Sequence, residues 1–112
     1  MKATVKIELN GVERELVPSL AALEYLNKEF GNIQAVLARL GTFDFEVYPK
    51  VLHAGLLHEN KRSGTVEAAK TLVWETGMTE LLQPLIRFVI ILLNGGKEPE
   101  EEAKASEGEE KE

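Results

Sequence analysis

The sequence predicts an α+β fold, mainly α: an N-terminal β-hairpin packed on a small bundle of four to five helices. Three observations carry this. Two alternating runs meet at Asn10-Gly11. Segments with helical spacing follow, each bounded by a capping residue or a glycine. The last of them, residues 81–93, carries no charged or amide side chain except Gln83 and Arg87. A helix that is apolar nearly all round belongs at the centre of a bundle or under a partner.

Val5, Ile7 and Leu9 alternate with Lys6 and Glu8, and Val12, Arg14 and Leu16 alternate with Glu13 and Glu15. Asn-Gly between two such runs predicts a type I′ turn, which needs positive φ at both central residues. The two-residue loop then opposes Leu9 with Val12, Lys6 with Glu15 and Val5 with Leu16. One face is Val5, Ile7, Leu9, Val12 and Leu16. A lone hairpin is marginal in water, so this face rests on the helices.

Pro18-Ser19 opens the first helix, with Ser19 as N-cap and Leu20, Leu23, Leu26 and Phe30 on one face. Gly31 ends it. Asn32 caps a short second helix bearing Ile33, Val36, Leu37 and Leu40, stopped by Gly41. A third helix spans about residues 44–58, with Tyr48, Leu52 and Leu56 on one face and Val51 nearby. Pro49 belongs in its first turn. Gly55 in its interior implies close packing of another element. Residues 59–64 form a polar loop. Thr65 caps a fourth helix with Val66, Ala69, Leu72 and Val73 inward and Glu67 in the first turn; Gly77 closes it. Thr79 caps the last helix, and Pro84 argues for a bend in it.

The chain divides into a globular domain, residues 1–94, and an acidic tail, residues 95–112. Residues 97–112 hold three Lys and eight Glu, a net of −5 out of the formal −6. They lack large apolar side chains and are expected to be disordered. The rest is nearly neutral and has no basic patch, which argues against a nucleic-acid partner. The apolar run is shorter than the about 20 residues of a membrane span and holds Arg87, which argues against a membrane role. With no cysteine, thiolate chemistry and disulfides are excluded. Residues 1–6 alternate and have no apolar signal core, so the expected location is cytoplasmic.

No residue set points to catalysis, a cofactor or a metal. His53, His58 and Glu59 are the nearest thing to a ligand set, but spacings of five and one do not place both imidazoles on one helical face. Asp44 and Glu46 suit the helix dipole better than acid–base work. Ser19, Ser63 and Thr65 are turn or cap residues. Trp74 is either core or a binding anchor. On the last helix, Leu81, Leu85, Phe88 and Leu92 form one face and Leu82, Ile86, Val89 and Leu93 an adjoining one. One face closes the core. The other is partly exposed, covered by a second copy in a homo-oligomer or by a partner helix. The candidate partner-binding residues are Trp74, Leu81, Leu85, Phe88 and Leu92.

The order of features carries a resemblance. The residues concerned are Asn10-Gly11-Val12-Glu13-Arg14-Glu15-Leu16, Leu20-Ala21-Ala22-Leu23-Glu24-Tyr25-Leu26, Phe30-Gly31-Asn32-Ile33, Leu37-Ala38-Arg39-Leu40-Gly41, and Leu52-His53-Ala54-Gly55-Leu56-Leu57-His58-Glu59. Together they resemble the tail assembly chaperones of long-tailed phages and prophages, including those related to gene transfer agents. The likeness covers about residues 5–93 and includes no catalytic motif. It implies a non-catalytic protein of the host cytoplasm that binds the tape measure protein, keeps it soluble, and is absent from the mature virion. It also implies that a frameshifted longer form can recruit the tail tube protein. The competing reading is a structural head–tail connector or tail terminator component, which would stay in the particle.

Overall fold

The computed structural model describes residues 3–57 and 65–97. Two strands, β1 (Val5–Leu9) and β2 (Val12–Leu16), precede five helices: α1 (Leu20–Phe30), α2 (Ile33–Gly41), α3 (Val47–Gly55), α4 (Val66–Thr76) and α5 (Met78–Leu93). The fold is thus α+β and mainly α, as the sequence predicts.

The hairpin is antiparallel with Leu9 opposite Val12, Lys6 opposite Glu15 and Val5 opposite Leu16. Asn10 and Gly11 have φ of 55° and 82°, the two positive values of a type I′ turn. Val5, Ile7, Leu9 and Leu16 are buried. Val12 shares their face but is 57% exposed, although Leu9 directly opposite is buried: α4 and α5 pack on β1, and the turn end of β2 lies outside that contact.

What seats the hairpin is a backbone contact. A Cβ at Gly55 would lie 2.8 Å from Leu16 Cδ2 and 2.9 Å from Leu16 Cβ. Only glycine leaves room for the fully buried Leu16, and Val17 N–H donates to the Gly55 carbonyl at 2.9 Å just beyond. The close packing expected at Gly55 is therefore the β2–α3 junction.

Ser19, Asn32 and Thr65 cap α1, α2 and α4 by accepting from Ala22, Gln34 and Ala68 N–H respectively. Gly31 closes α1 in the left-handed region at φ 76°. The third helix starts later than residue 44. Asp44 Oδ1 accepts from Glu46 N–H at 3.0 Å and the Asp44 carbonyl from Val47 N–H at 2.9 Å, so residues 44–46 form a turn leading into α3. Pro49 falls in the first turn of α3, where its missing N–H has no bond to lose. Gly77, not Thr79, holds the N-cap position of α5. It is the single residue between α4 and α5, with φ 98° and ψ 132°. Pro84 sits in the second turn of α5, and the helix continues through it.

The core gathers around α5, which packs against α2, α3, α4 and β1. Leu81, Leu85, Phe88, Val89, Ile91 and Leu92 of this helix are buried. They meet Tyr48, Val51 and Leu52 of α3, Val36 and Leu40 of α2, and the inward face of the hairpin in one cluster. Tyr48 is fully buried, and its hydroxyl donates to the Leu40 carbonyl at 2.6 Å. Residues 95–97, assigned to the tail on sequence, are bonded to the body. Gly96 N–H donates to Ile91 O at 2.8 Å, and Gly96 O accepts from Ala3 N–H at 3.1 Å. The polar loop at 59–64 and the tail from residue 98 lie outside the described residues.

Gly55→Ala should destabilise the fold by about 1–3 kcal/mol through overpacking. A double-mutant cycle with Leu16→Ala, followed by chemical denaturation, checks the cause. Leu16→Ala alone should cost about 2–5 kcal/mol, and the two losses should sum to more than the double variant shows, because alanine removes the Cδ2 and Cγ contacts at 2.8 and 3.2 Å and leaves the Cβ contact at 2.9 Å.

Candidate partner-binding surface

The five residues singled out on sequence separate into two groups. Leu81, Leu85 and Phe88 are fully buried and Leu92 is 4% exposed. These four belong to the core, and in this fold they present almost nothing to a partner. The physical reason is the position of α5, enclosed by the four other helices and the hairpin, so its strongest apolar face is consumed in folding. Trp74 is the opposite case. It is 80% exposed on α4, among Glu67, Lys70, Thr71 and Glu75 on the polar side of that helix. Ala69 and Val73 are the residues α4 buries.

The second face of α5 divides as well. Val89 is buried, Leu82 and Ile86 are half-buried, and Leu93 is 49% exposed. One face thus closes the core while the other is left partly open.

A mostly apolar cleft lies where α1 begins and α5 ends. Pro18, Ser19, Leu20, Leu23, Leu92, Gly95 and Gly96 line a space of about 300 Å³. Leu20 is 70% exposed at its rim, and Leu93 follows Leu92 on the exposed side. Sequence spacing placed Leu20 on the inward face of α1. That face actually centres on Ala22 and Leu26, with Leu23 and Phe30 packed at its margin. Leu20 is the first residue of α1 and stands clear of that face. A reading weighted by apolar size favours Leu over Ala and so places Leu20 inward.

A larger groove of about 530 Å³ lies between β1 and α5, lined by Thr4, Val5, Lys6, Pro84, Ile86, Arg87 and Ile90 among others. It is more polar than the first, with two cationic side chains in its wall.

Polar groups form structural pairs. Asp44 accepts from Arg39 Nε at 2.8 Å, and this bond, aided by Glu46 N–H, holds its carboxyl below the usual range. Glu29 is held low by its hydrogen bond to Lys50 at 2.9 Å. Arg39 and Lys50 both stack on the Phe30 ring, at 5.2 and 5.5 Å from its centroid. His53 meets the Tyr25 ring edge-on, with centroids 5.2 Å apart. Burial lowers the His53 pKa, and burial, with Glu29 adding, pushes Tyr25 up to about 12. His58 and Glu59 lie outside the described residues. Among the described residues no three His, Cys, Asp or Glu side chains are placed to hold a metal ion. None of the described helices is long and apolar enough to cross a membrane. Thr76 Oγ1 is buried without a hydrogen-bond partner.

No protein-family model, curated protein or solved structure matches this chain.

Two outcomes follow from this geometry. Alanine at Leu81, Leu85 or Phe88 should cost about 2–5 kcal/mol, whereas Leu20→Ala and Trp74→Ala should shift stability by less than about 0.5 kcal/mol. Thermal melts of the five variants check this. Stability should also fall as pH drops from 7.5 to 5.5. Because the folded His53 pKa lies below the unfolded value of about 6.5, the unfolded chain takes up its proton first as pH falls. His53→Gln should flatten the Tm profile in that window, above the range where Asp44 and Glu29 begin to be protonated in the unfolded chain.

Proposed function

We propose that this protein is a non-catalytic phage tail assembly chaperone that binds the tape measure protein and keeps it soluble in the host cytoplasm, and that it leaves before the virion is complete. The reading rests on the resemblance in the order of hairpin, helices and glycines. One observation is in keeping with it: an apolar cleft rimmed by the exposed Leu20, which offers a helix a place to insert a side chain.

A tape measure chain is long, helical and apolar. Its segments differ in sequence, so a surface that covers many of them must rely on shape and apolar contact. The Leu20–Leu23–Leu92 cleft suits insertion of one aliphatic side chain from such a helix. Burying that side chain stabilises the contact by about 1.5–3 kcal/mol. Micromolar affinity needs about 8 kcal/mol. One cleft therefore holds weakly, and coating comes from many copies acting along one chain. Weak single contacts also suit a protein that must be displaced. Recruitment of the tail tube protein by a frameshifted form belongs to this proposal as well.

Co-expression tests it. Wild-type protein should keep fragments of the tape measure protein from the same genome in the soluble fraction. Leu20→Glu should lose that activity while its melting temperature stays within about 3 °C of wild type, as befits a surface change well under 1 kcal/mol. Trp74→Ala alone, on the separate outer side of α4, should lower solubilisation in part. Equal solubilisation by wild type and the Leu20→Glu/Trp74→Ala double variant would overturn the assignment of this surface. Finding the protein in purified virions would favour the connector or terminator reading instead.

A further inference from the structure

The hairpin has one open edge. A two-residue turn makes Leu9–Val12, Ile7–Arg14 and Val5–Leu16 the hydrogen-bonded pairs of the ladder. The N–H and C=O groups of Lys6 and Glu8 therefore point away from β2. Neither residue has a backbone bond to any other described element. Grooves run beside them: one of about 530 Å³ lies between Thr4, Val5 and Lys6 and the flank of α5, and a second of about 380 Å³ lies between Lys6 to Gly11 and Glu75, Thr76, Glu80 and Pro84. Proteins usually blunt such an edge with a proline, a bulge, a very short strand or charged side chains. β1 has five regular residues with no proline or bulge, and its charges, Lys6 and Glu8, are of opposite sign, so they can pair across a second strand as well as repel one.

Its charges are arranged symmetrically. In Val5-Lys6-Ile7-Glu8-Leu9, a two-fold axis through Ile7 exchanges Lys6 with Glu8. We propose that β1 pairs antiparallel with β1 of a second copy about this axis, forming a four-stranded sheet in the order β2–β1–β1–β2. Lys6 then faces the partner's Glu8, and Glu8 faces the partner's Lys6. Both are pairs of the hydrogen-bonded type, so the outward groups of Lys6 and Glu8 are satisfied on each strand. Ile7 meets the partner's Ile7 at the axis. Such a contact is isologous and closes at two copies.

The second support comes from the solvent face of the hairpin. Glu8 lies directly opposite Glu13, a like-charge pair. Lys6, Glu8 and Glu13 are all exposed, and none has a side-chain ion pair or hydrogen bond among the described residues. In the dimer, the partner's Lys6 sits on the other side of Glu8. The row across the sheet becomes Glu13, Glu8, the partner's Lys6 and the partner's Glu15, so a cation is inserted beside the repelling pair. The half-buried Ile86 and Ile90, which wall the groove next to β1, are covered by the added strand. This surface is separate from the Leu20 cleft, so the dimer neither needs nor obstructs tape measure binding.

Charge reversal tests the register. The full chain should sediment at twice its 12.4 kDa mass. Lys6→Glu places Glu against the partner's Glu8, and Glu8→Lys places Lys against the partner's Lys6. Each should raise the dimer dissociation constant about tenfold or more. An equimolar mixture of the two variants should recover dimer, since the mixed pair is complementary, and so should the double variant carrying both changes. Effects on the protomer go the other way for one of them. Glu8→Lys relieves the repulsion with Glu13 and should raise the melting temperature while it weakens the dimer, which separates folding from association. In wild type, hydrogen exchange at the Lys6 and Glu8 amides should slow with rising concentration. A monomeric wild type, single variants that dimerise as tightly as wild type, a mixture that stays monomeric, or unprotected Lys6 and Glu8 amides in a dimer would each overturn the proposal.

Discussion

The absence of a side chain at Gly55 is the constraint on which the architecture depends. Leu16 occupies the volume that a Cβ there would need. That contact brings the end of β2 onto the backbone of α3, and the Val17–Gly55 hydrogen bond fixes the approach. The hairpin can then lay Val5, Ile7 and Leu9 toward the helical core, α5 included. Two strands alone would not persist in water. Seated in this way, they act as the lid of a helical core and gain their stability from it.

The same arrangement decides which apolar residues remain for a partner. α5 is surrounded, so it commits Leu81, Leu85 and Phe88 to the interior. What stays accessible is peripheral: Leu20 at the first turn of α1, Trp74 on the outer side of α4, and Leu93 near the end of α5. Each is a single side chain on a polar or half-polar background.

Local chemistry was readable from the sequence wherever one residue type answers one geometric need. Asn10-Gly11 specified the turn and with it the whole register. Ser19, Asn32 and Thr65 marked three helix starts, and Gly55 marked a close approach. Errors arose where the outcome depends on tertiary placement. Thr79 has a capping side chain, yet Gly77 took the N-cap position because a left-handed residue was needed to turn α4 into α5. Val12 and Leu20 follow the correct periodicity but lie beyond the edge of the core, which periodicity cannot locate. Phe88 looked like a binding anchor because an all-round apolar helix is ambiguous between core and interface. Only the packing of α2, α3, α4 and β1 around it resolves that. The Leu20 cleft was not legible, because it joins residues more than seventy positions apart.

The hydrogen bond from Ala3 N–H to Gly96 O closes the chain on itself. Its two residues stand at opposite ends of the described sequence, so nearly everything between them must be in place before the bond can form. Loop-closure entropy rises with the length enclosed, and the bond offers little in return until the hairpin is seated and α5 is complete. It therefore forms late in folding and opens early in fraying. In a chain being synthesised, Ala3, just ahead of β1, cannot meet Gly96 until residue 96 has left the ribosome. Through that interval the start of the hairpin is exposed, so the time taken to make the protein is also a time during which that strand is available to others.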